Sequence, residues 1–324
     1  GRLASMNSRT PSLLATGTIA ALVLAGCSTS TDDSPVDDPS GDAALRVAAA
    51  FYPLEFVATE VGGDLVDVVP LTAPGVEAHD VELSPATVRE LGGADLALYL
   101  SEFQPAVDDA IATSGVAAVD AGDAVELHAA EGHEDEDGHE DEDGHEDEDG
   151  HGHGEGDPHF WLDPHLLADL AGAVAEAFST ADPDNATAYA ANADALSAEL
   201  EQLDEAYASR LAQCERDTII VSHEAFGYLT DAYGLHQEGL AGLDPENEPS
   251  PARLLEIQDI IATTGATTIF AEDQVSEGVA EALAQDAGVE TAVLDPVESV
   301  VDGDDYIGVM NRNLDALTAA LDCG

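Results

Sequence analysis

From Asp184 to Cys214, apolar or aromatic side chains fall at Tyr189, Ala193, Leu196, Leu200, Leu203, Tyr207 and Leu211, in steps of three and four. That spacing predicts one continuous amphipathic helix. At 1.5 Å per residue it reaches about 45 Å, long enough to run along two domains. Before it, short apolar runs at 45–51, 65–71, 96–100 and 116–119 alternate with helical stretches at 53–61, 85–91 and 102–112. After it the alternation resumes, with strands expected at 218–222, 238–240, 267–271 and 291–294 and helices at 224–233, 251–263, 277–285 and 305–321. Strand, helix, strand at this spacing favours parallel sheets covered on both faces. The expected fold class is therefore α/β: two similar lobes, each a parallel sheet flanked by helices, joined by one long rigid helix. The lobes fall at 45–183 and 215–324, with the linking helix at 184–214.

The N-terminus reads as an export signal over residues 1–27: Arg2 and Arg9, an apolar core from Leu13 to Leu24, then Leu24-Ala25-Gly26-Cys27. The core is too short to span a bilayer as a mature helix. Its ending resembles the lipobox of bacterial lipoproteins, in which the cysteine, here Cys27, becomes the lipidated first residue. Residues 28–44, rich in Ser, Asp and Pro, then form a flexible tether. With Cys27 assigned, Cys214 and Cys323 remain. In an exported protein two cysteines point to a disulfide, here one tying the C-terminal helix to the second lobe.

The formal charge is −60, and all eight basic residues are Arg. Such a field repels nucleic acid and anionic substrates and attracts cations, screened beyond about 8 Å at physiological salt. A salt-adapted or simply acidic surface accounts for the overall charge equally well. An insertion spanning 128–156 holds 14 of the 68 acids, with His-Glu-Asp-Glu-Asp-Gly repeated at 133–138, 139–144 and 145–150 before His151-Gly-His153. This run offers no apolar surface to offset the entropy of ordering its backbone. It serves either as a solvated linker or as a weak metal store built from His128, His133, His139, His145, His151 and His153.

Outside the insertion the candidate ligands are His79, His159, His165, His223 and His236, with the carboxylates Glu272 and Asp295 at strand ends. His79, His223, Glu272 and Asp295 all follow predicted strands, and ligands of parallel sheets gather outside the carboxyl ends of strands. His159 sits between prolines in Asp157-Pro158-His159-Phe160-Trp161-Leu162-Asp163-Pro164, which holds the only Trp. Three imidazoles and a carboxylate suit four-coordinate Zn(II), whereas Mg(II) and Ca(II) demand mostly oxygen, and Mn(II) accepts mixed sets. A lone histidine at a strand end is more often a surface or core hydrogen-bonding group, and His165 and His236 keep that reading. Asp295, before Pro296, can equally cap a turn. A secreted zinc hydrolase uses similar ligands, but no His-Glu-x-x-His helix is present.

Several separate stretches together resemble a known family. They are Val47-Ala-Ala-Ala-Phe-Tyr-Pro53, Gly75-Val-Glu-Ala-His79-Asp80, Asp157 to Pro164, Ser222-His223-Glu-Ala-Phe-Gly-Tyr228, Glu248-Pro-Ser-Pro251, Phe270-Ala-Glu272, Leu294-Asp295-Pro296 and Met310-Asn-Arg-Asn-Leu314. In this order they are similar to the zinc-type solute-binding lipoproteins of bacterial ABC importers, the ZnuA-like branch of the TroA-like fold. The resemblance implies that His79, His159 and His223 bind the ion, with Asp295 closing the site as in some members, or with Glu77 or water doing so as in others. Manganese-type members usually carry Glu at the third position, so His223 argues for zinc. The implied protein is no enzyme. It is expected to be a monomer, lipid-anchored on the outer face of the cytoplasmic membrane, carrying Zn(II) to an ABC permease. A manganese-binding protein or adhesin of the same fold is the alternative.

Overall fold

A computed structural model of the protein describes residues 44–128, 156–272, 277–300 and 304–324. The export signal with Cys27, the tether up to residue 43 and five of the insertion's histidines, His133, His139, His145, His151 and His153, lie outside the described residues. In the N-terminal lobe the strands β1 (Leu45–Ala49), β2 (Val66–Pro70), β3 (Leu96–Tyr99) and β4 (Ala117–Asp120) form a parallel sheet in the order β2-β1-β3-β4. Helices α1 (Tyr52–Gly62), α2 (Pro85–Leu91), α3 (Pro105–Ser114), α4 (Ala121–Ala124) and α5 (Pro164–Ala181) accompany it. The C-terminal lobe repeats the plan. Its strands β5 (Thr218–Val221), β6 (His236–Gly239), β7 (Thr268–Ala271) and β8 (Glu290–Val293) run parallel in the order β6-β5-β7-β8, with helices α7 (Gly227–Tyr233), α8 (Pro251–Thr264), α9 (Glu277–Ala287) and α10 (Tyr306–Leu321). In each lobe the second strand lies on one side of the first and the third on the other, which opens a crevice at the carboxyl ends where the order reverses.

The linking helix, α6, spans Ala186–Leu211. Its buried residues are Tyr189, Ala193, Leu196, Leu200, Leu203, Tyr207 and Leu211, the predicted stripe. It is shorter at both ends than the 184–214 expected. At its start Pro183–Asn185 forms a tight 3-10 turn, and the Asp182 carboxylate accepts hydrogen bonds from Asn185 Nδ2 and Tyr189 Oη at 2.6 and 2.8 Å. At its end the helix stops at Leu211, and Cys214 is bonded to Cys323 just past α10. Local chemistry sets other helix starts: Ser84, Asp163, Ser250 and Asp305 each cap an N-terminus with a side-chain oxygen.

One hydrophobic core runs through the N-terminal lobe, along α6 and into the near side of the C-terminal sheet. A smaller core fills the far side of that sheet. The pleat divides them: on β5, Ile219 and Val221 face the main core while Ile220 faces the smaller one, and on β7 Phe270 is opposed to Ile269 and Ala271. Polar contacts join the lobes as well. Trp161 Nε1 donates to the Pro296 carbonyl at 2.7 Å, Tyr306 Oη to the Trp161 carbonyl at 2.6 Å, and Tyr228 Oη to the Asp157 carbonyl at 2.9 Å. Tyr207 Oη, on α6, donates to the Met310 carbonyl at 2.6 Å. No helix among the described residues is long and apolar enough to cross a membrane.

Candidate metal centre

Each of three histidines reaches the crevice on a segment held by its own local bonds. His79 follows β2 in a loop pinned from beneath: Gln104, buried at the start of α3, donates to the Ala78 carbonyl at 2.8 Å and to Thr72 Oγ1 at 3.1 Å. Its ring packs edge-on against Phe103, with centroids 4.8 Å apart. His159 lies in the turn before α5, where Asp157 Oδ1 accepts from both the His159 amide, at 3.0 Å, and its Nδ1, at 2.8 Å. His223 stands two residues beyond β5, and its Nδ1 meets Glu272 Oε1, at the end of β7, at 2.6 Å. Ser222 Oγ donates to the same carboxylate oxygen. At His159 and His223 the carboxylate at Nδ1 orients the ring so that Nε2 faces inward.

The inward nitrogens converge on a single carboxylate, that of Glu298. Its Oε1 lies 3.2 Å from His159 Nε2, 3.5 Å from His79 Nε2 and 3.7 Å from His223 Nε2. One donor atom from each of the four residues lies within 4.8 Å of every other. A tetrahedral ion with bonds of 2.0–2.1 Å requires ligand atoms about 3.3 Å apart, so small adjustments would seat one. His79 Nε2 and His223 Nε2 are buried without a hydrogen bond among the described residues. Unsatisfied buried nitrogen is costly, and a metal ion satisfies it.

The electrostatics of the centre follow from this crowding. For His223, burial pulls the imidazole pKa down, but the bond to Glu272 and the nearby charge of Glu298 outweigh it and raise it to about 10. His159 is raised by the same contest, burial against Asp157 and Glu298. Burial pushes Glu298 up, yet its contacts with His159, His223 and His79 hold it well below the ordinary carboxylate range. Three imidazoles and one carboxylate thus hold one another's charge at a single point.

The other sequence candidates lie elsewhere or act at one remove. The Asp295 carboxylate does not join the four-residue group; Oδ1 accepts from the Val297 amide at 2.8 Å. Glu77 turns back onto its own loop, accepting from the amides of His79 and Asp80 at 2.9 and 3.0 Å. Glu272 meets His223 at Nδ1, the nitrogen turned away from the four-residue group, and is not a member of that group. His165 pairs with Asp204 at 3.2 Å, away from the group, and His236 begins β6. His128, the first insertion histidine, stacks on Tyr228 with centroids 4.2 Å apart. Glu298 and the support from Asp157 are what sequence reasoning missed. The available signal was a second acid three residues beyond Asp295 in Asp295-Pro296-Val297-Glu298, and an acid two residues before His159.

Two parallel-sheet lobes on one long helix, with three imidazoles and a carboxylate facing one point between them, form a two-lobed α/β frame around a group of residues that could hold a metal ion. The chain belongs to the family described as zinc-uptake complex component A, periplasmic, which residues 47–320 match. It is 34% identical over 325 residues to the zinc-binding lipoprotein AdcA of Streptococcus pneumoniae (strain ATCC BAA-255 / R6), covering 94% of this chain and 60% of that protein. It is 33% identical over 309 residues to the high-affinity zinc uptake system protein ZnuA of Bacillus subtilis (strain 168), covering 93% of this chain and 94% of that one. The crystal structure of Zn(II)-bound AdcA from Streptococcus pneumoniae superposes with a TM-score of 0.71 at 31% identity, over 86% of this chain and 58% of that chain. The chain thus spans only about 60% of the AdcA length.

Proposed function

We propose that the protein captures Zn(II) outside the cytoplasm and delivers it to an ABC-type permease in the cytoplasmic membrane, with no chemistry on a substrate. The ligands are Nε2 of His79, His159 and His223 and the carboxylate of Glu298. The observation that carries this reading is the convergence of three imidazole nitrogens on one carboxylate oxygen at 3.2 to 3.7 Å. Four protein donors complete a tetrahedron, the arrangement of a closed site, whereas a hydrolase keeps one position for water. Three nitrogen donors favour zinc over manganese. His79 is the one ring with appreciable exposure, 15% of its side chain, so the ion enters and leaves past it.

The same reading assigns residues 1–27 to an export signal, Cys27 to a lipid anchor and 28–44 to a tether, so that a monomer works at the outer membrane face. The insertion's histidines hold zinc weakly and raise its concentration beside the crevice. Zinc titration of the full chain and of a variant lacking 131–155, each against a competing chelator, tests both parts. One tight equivalent is expected in both proteins, with extra weak equivalents only in the full chain. Absence of the tight equivalent from both refutes the zinc-carrier reading, and equal weak binding in both refutes the role of the insertion.

A further inference from the structure

Glu298 reaches the three rings only because the chain turns sharply after β8, and that turn is held at each residue. Both backbone groups of Asp295 are claimed by the buried Asn313 of α10: the Asp295 amide donates to Asn313 Oδ1 at 3.0 Å, and Asn313 Nδ2 donates to the Asp295 carbonyl at 2.7 Å. The Pro296 carbonyl accepts from Trp161 Nε1. The Val297 amide donates to Asp295 Oδ1, closing a turn of the kind Asp and Asn side chains make with the backbone two residues on. Val297 itself is fully buried and has φ +60, in the left-handed region. For a β-branched residue this is an outlier, one that persists only when the surroundings impose it.

From these contacts we propose that Asp295 is a positioning residue for the zinc centre and not one of its ligands. Its side chain fixes Val297 in the left-handed conformation and so aims Glu298 at the ion, with Asn313 holding Asp295 from behind. The proposal rests on the zinc-binding reading above and adds the source of the fourth ligand's orientation. It makes a chemical distinction. A turn needs only an acceptor oxygen at position 295, which an amide supplies, whereas a ligand at that position needs the carboxylate charge.

The test compares zinc affinity, by chelator competition at one equivalent of zinc, in the full-length parent, Asp295→Asn, Asp295→Ala, Asn313→Ala and Glu298→Gln, with Co(II) visible absorption as a second readout. Residues that orient ligands typically change metal affinity by about 10- to 100-fold when lost. The expectation is a loss of that size in Asp295→Ala and Asn313→Ala, and in Asp295→Asn an affinity and a Co(II) spectrum like the parent's. Asp295→Asn as weak as Asp295→Ala would overturn the proposal, as would parental affinity in Asp295→Ala or Asn313→Ala. If Asp295→Ala fails to fold, Asp295→Asn and Asn313→Ala decide alone. A parent that takes up no zinc refutes the underlying reading; a parent that binds while Glu298→Gln binds poorly leaves that reading standing whatever position 295 does.

Discussion

Burial alone would empty the centre's imidazoles of protons, since desolvation disfavours the charged ring. The carboxylates reverse that outcome at His223, whose pKa rises from 6.5 to about 10. A group whose folded pKa is raised contributes stability that is fully present below its unfolded value and is lost as pH rises through the folded one. The metal-free protein should therefore melt at progressively lower temperature between about pH 6.5 and 10, and His223→Gln should flatten that slope; calorimetric melting in chelator checks it. Glu298, held low, adds stability that is present above its ordinary value near 4.5 and lost as pH falls further. Metal binding runs the other way, because zinc takes only unprotonated rings. Proton release on zinc uptake should persist above pH 8, visible as a buffer-dependent enthalpy in titration calorimetry. The three histidines were legible in the sequence, each standing in a loop with a recognisable motif. Glu298 was not, because its place depends on a valine in a conformation that no residue pattern announces, and the more conspicuous acid beside Pro296 is the one that makes the turn.

Among elements, α6 is the most legible, since its helical stripe is also its buried face, residue for residue. Edge strands are less so. The strand expected at 238–240 is in fact His236–Gly239, and its sequence His-Gln-Glu-Gly is polar because the edge of a sheet requires no apolar run. The helix expected from 102 starts at Pro105, because Glu102 takes positive φ and its amide donates to Asp108 Oδ2 at 3.0 Å. Leu200, at the middle of α6, is fully buried. Replacing it with Ala removes packing from the continuous core and should cost about 2 to 5 kcal/mol, measured by urea unfolding. No ligand stands on α6, so zinc stoichiometry should stay that of the parent.

For the molecule as a whole, the lobes are fastened on both sides of the crevice. Phe56 of α1 stacks on Tyr306 of α10 at 5.2 Å, Trp161 bonds both Pro296 and Tyr306, and the Cys214–Cys323 bond ties the end of α6 to the end of α10. Large lobe rotation would break the stacking and the two Trp161 hydrogen bonds together, so zinc loading should leave the radius of gyration from solution X-ray scattering unchanged. A marked compaction on loading would contradict this. Trp161, the chain's single tryptophan, is buried with its ring 5.2 Å from that of His159 and its nitrogen bonded to the turn that carries Glu298. All indole emission from this molecule therefore originates beside His159, one of the proposed zinc ligands. Tryptophan fluorescence of the unlabelled chain should follow zinc loading and unloading at one location, with no second indole to dilute the signal.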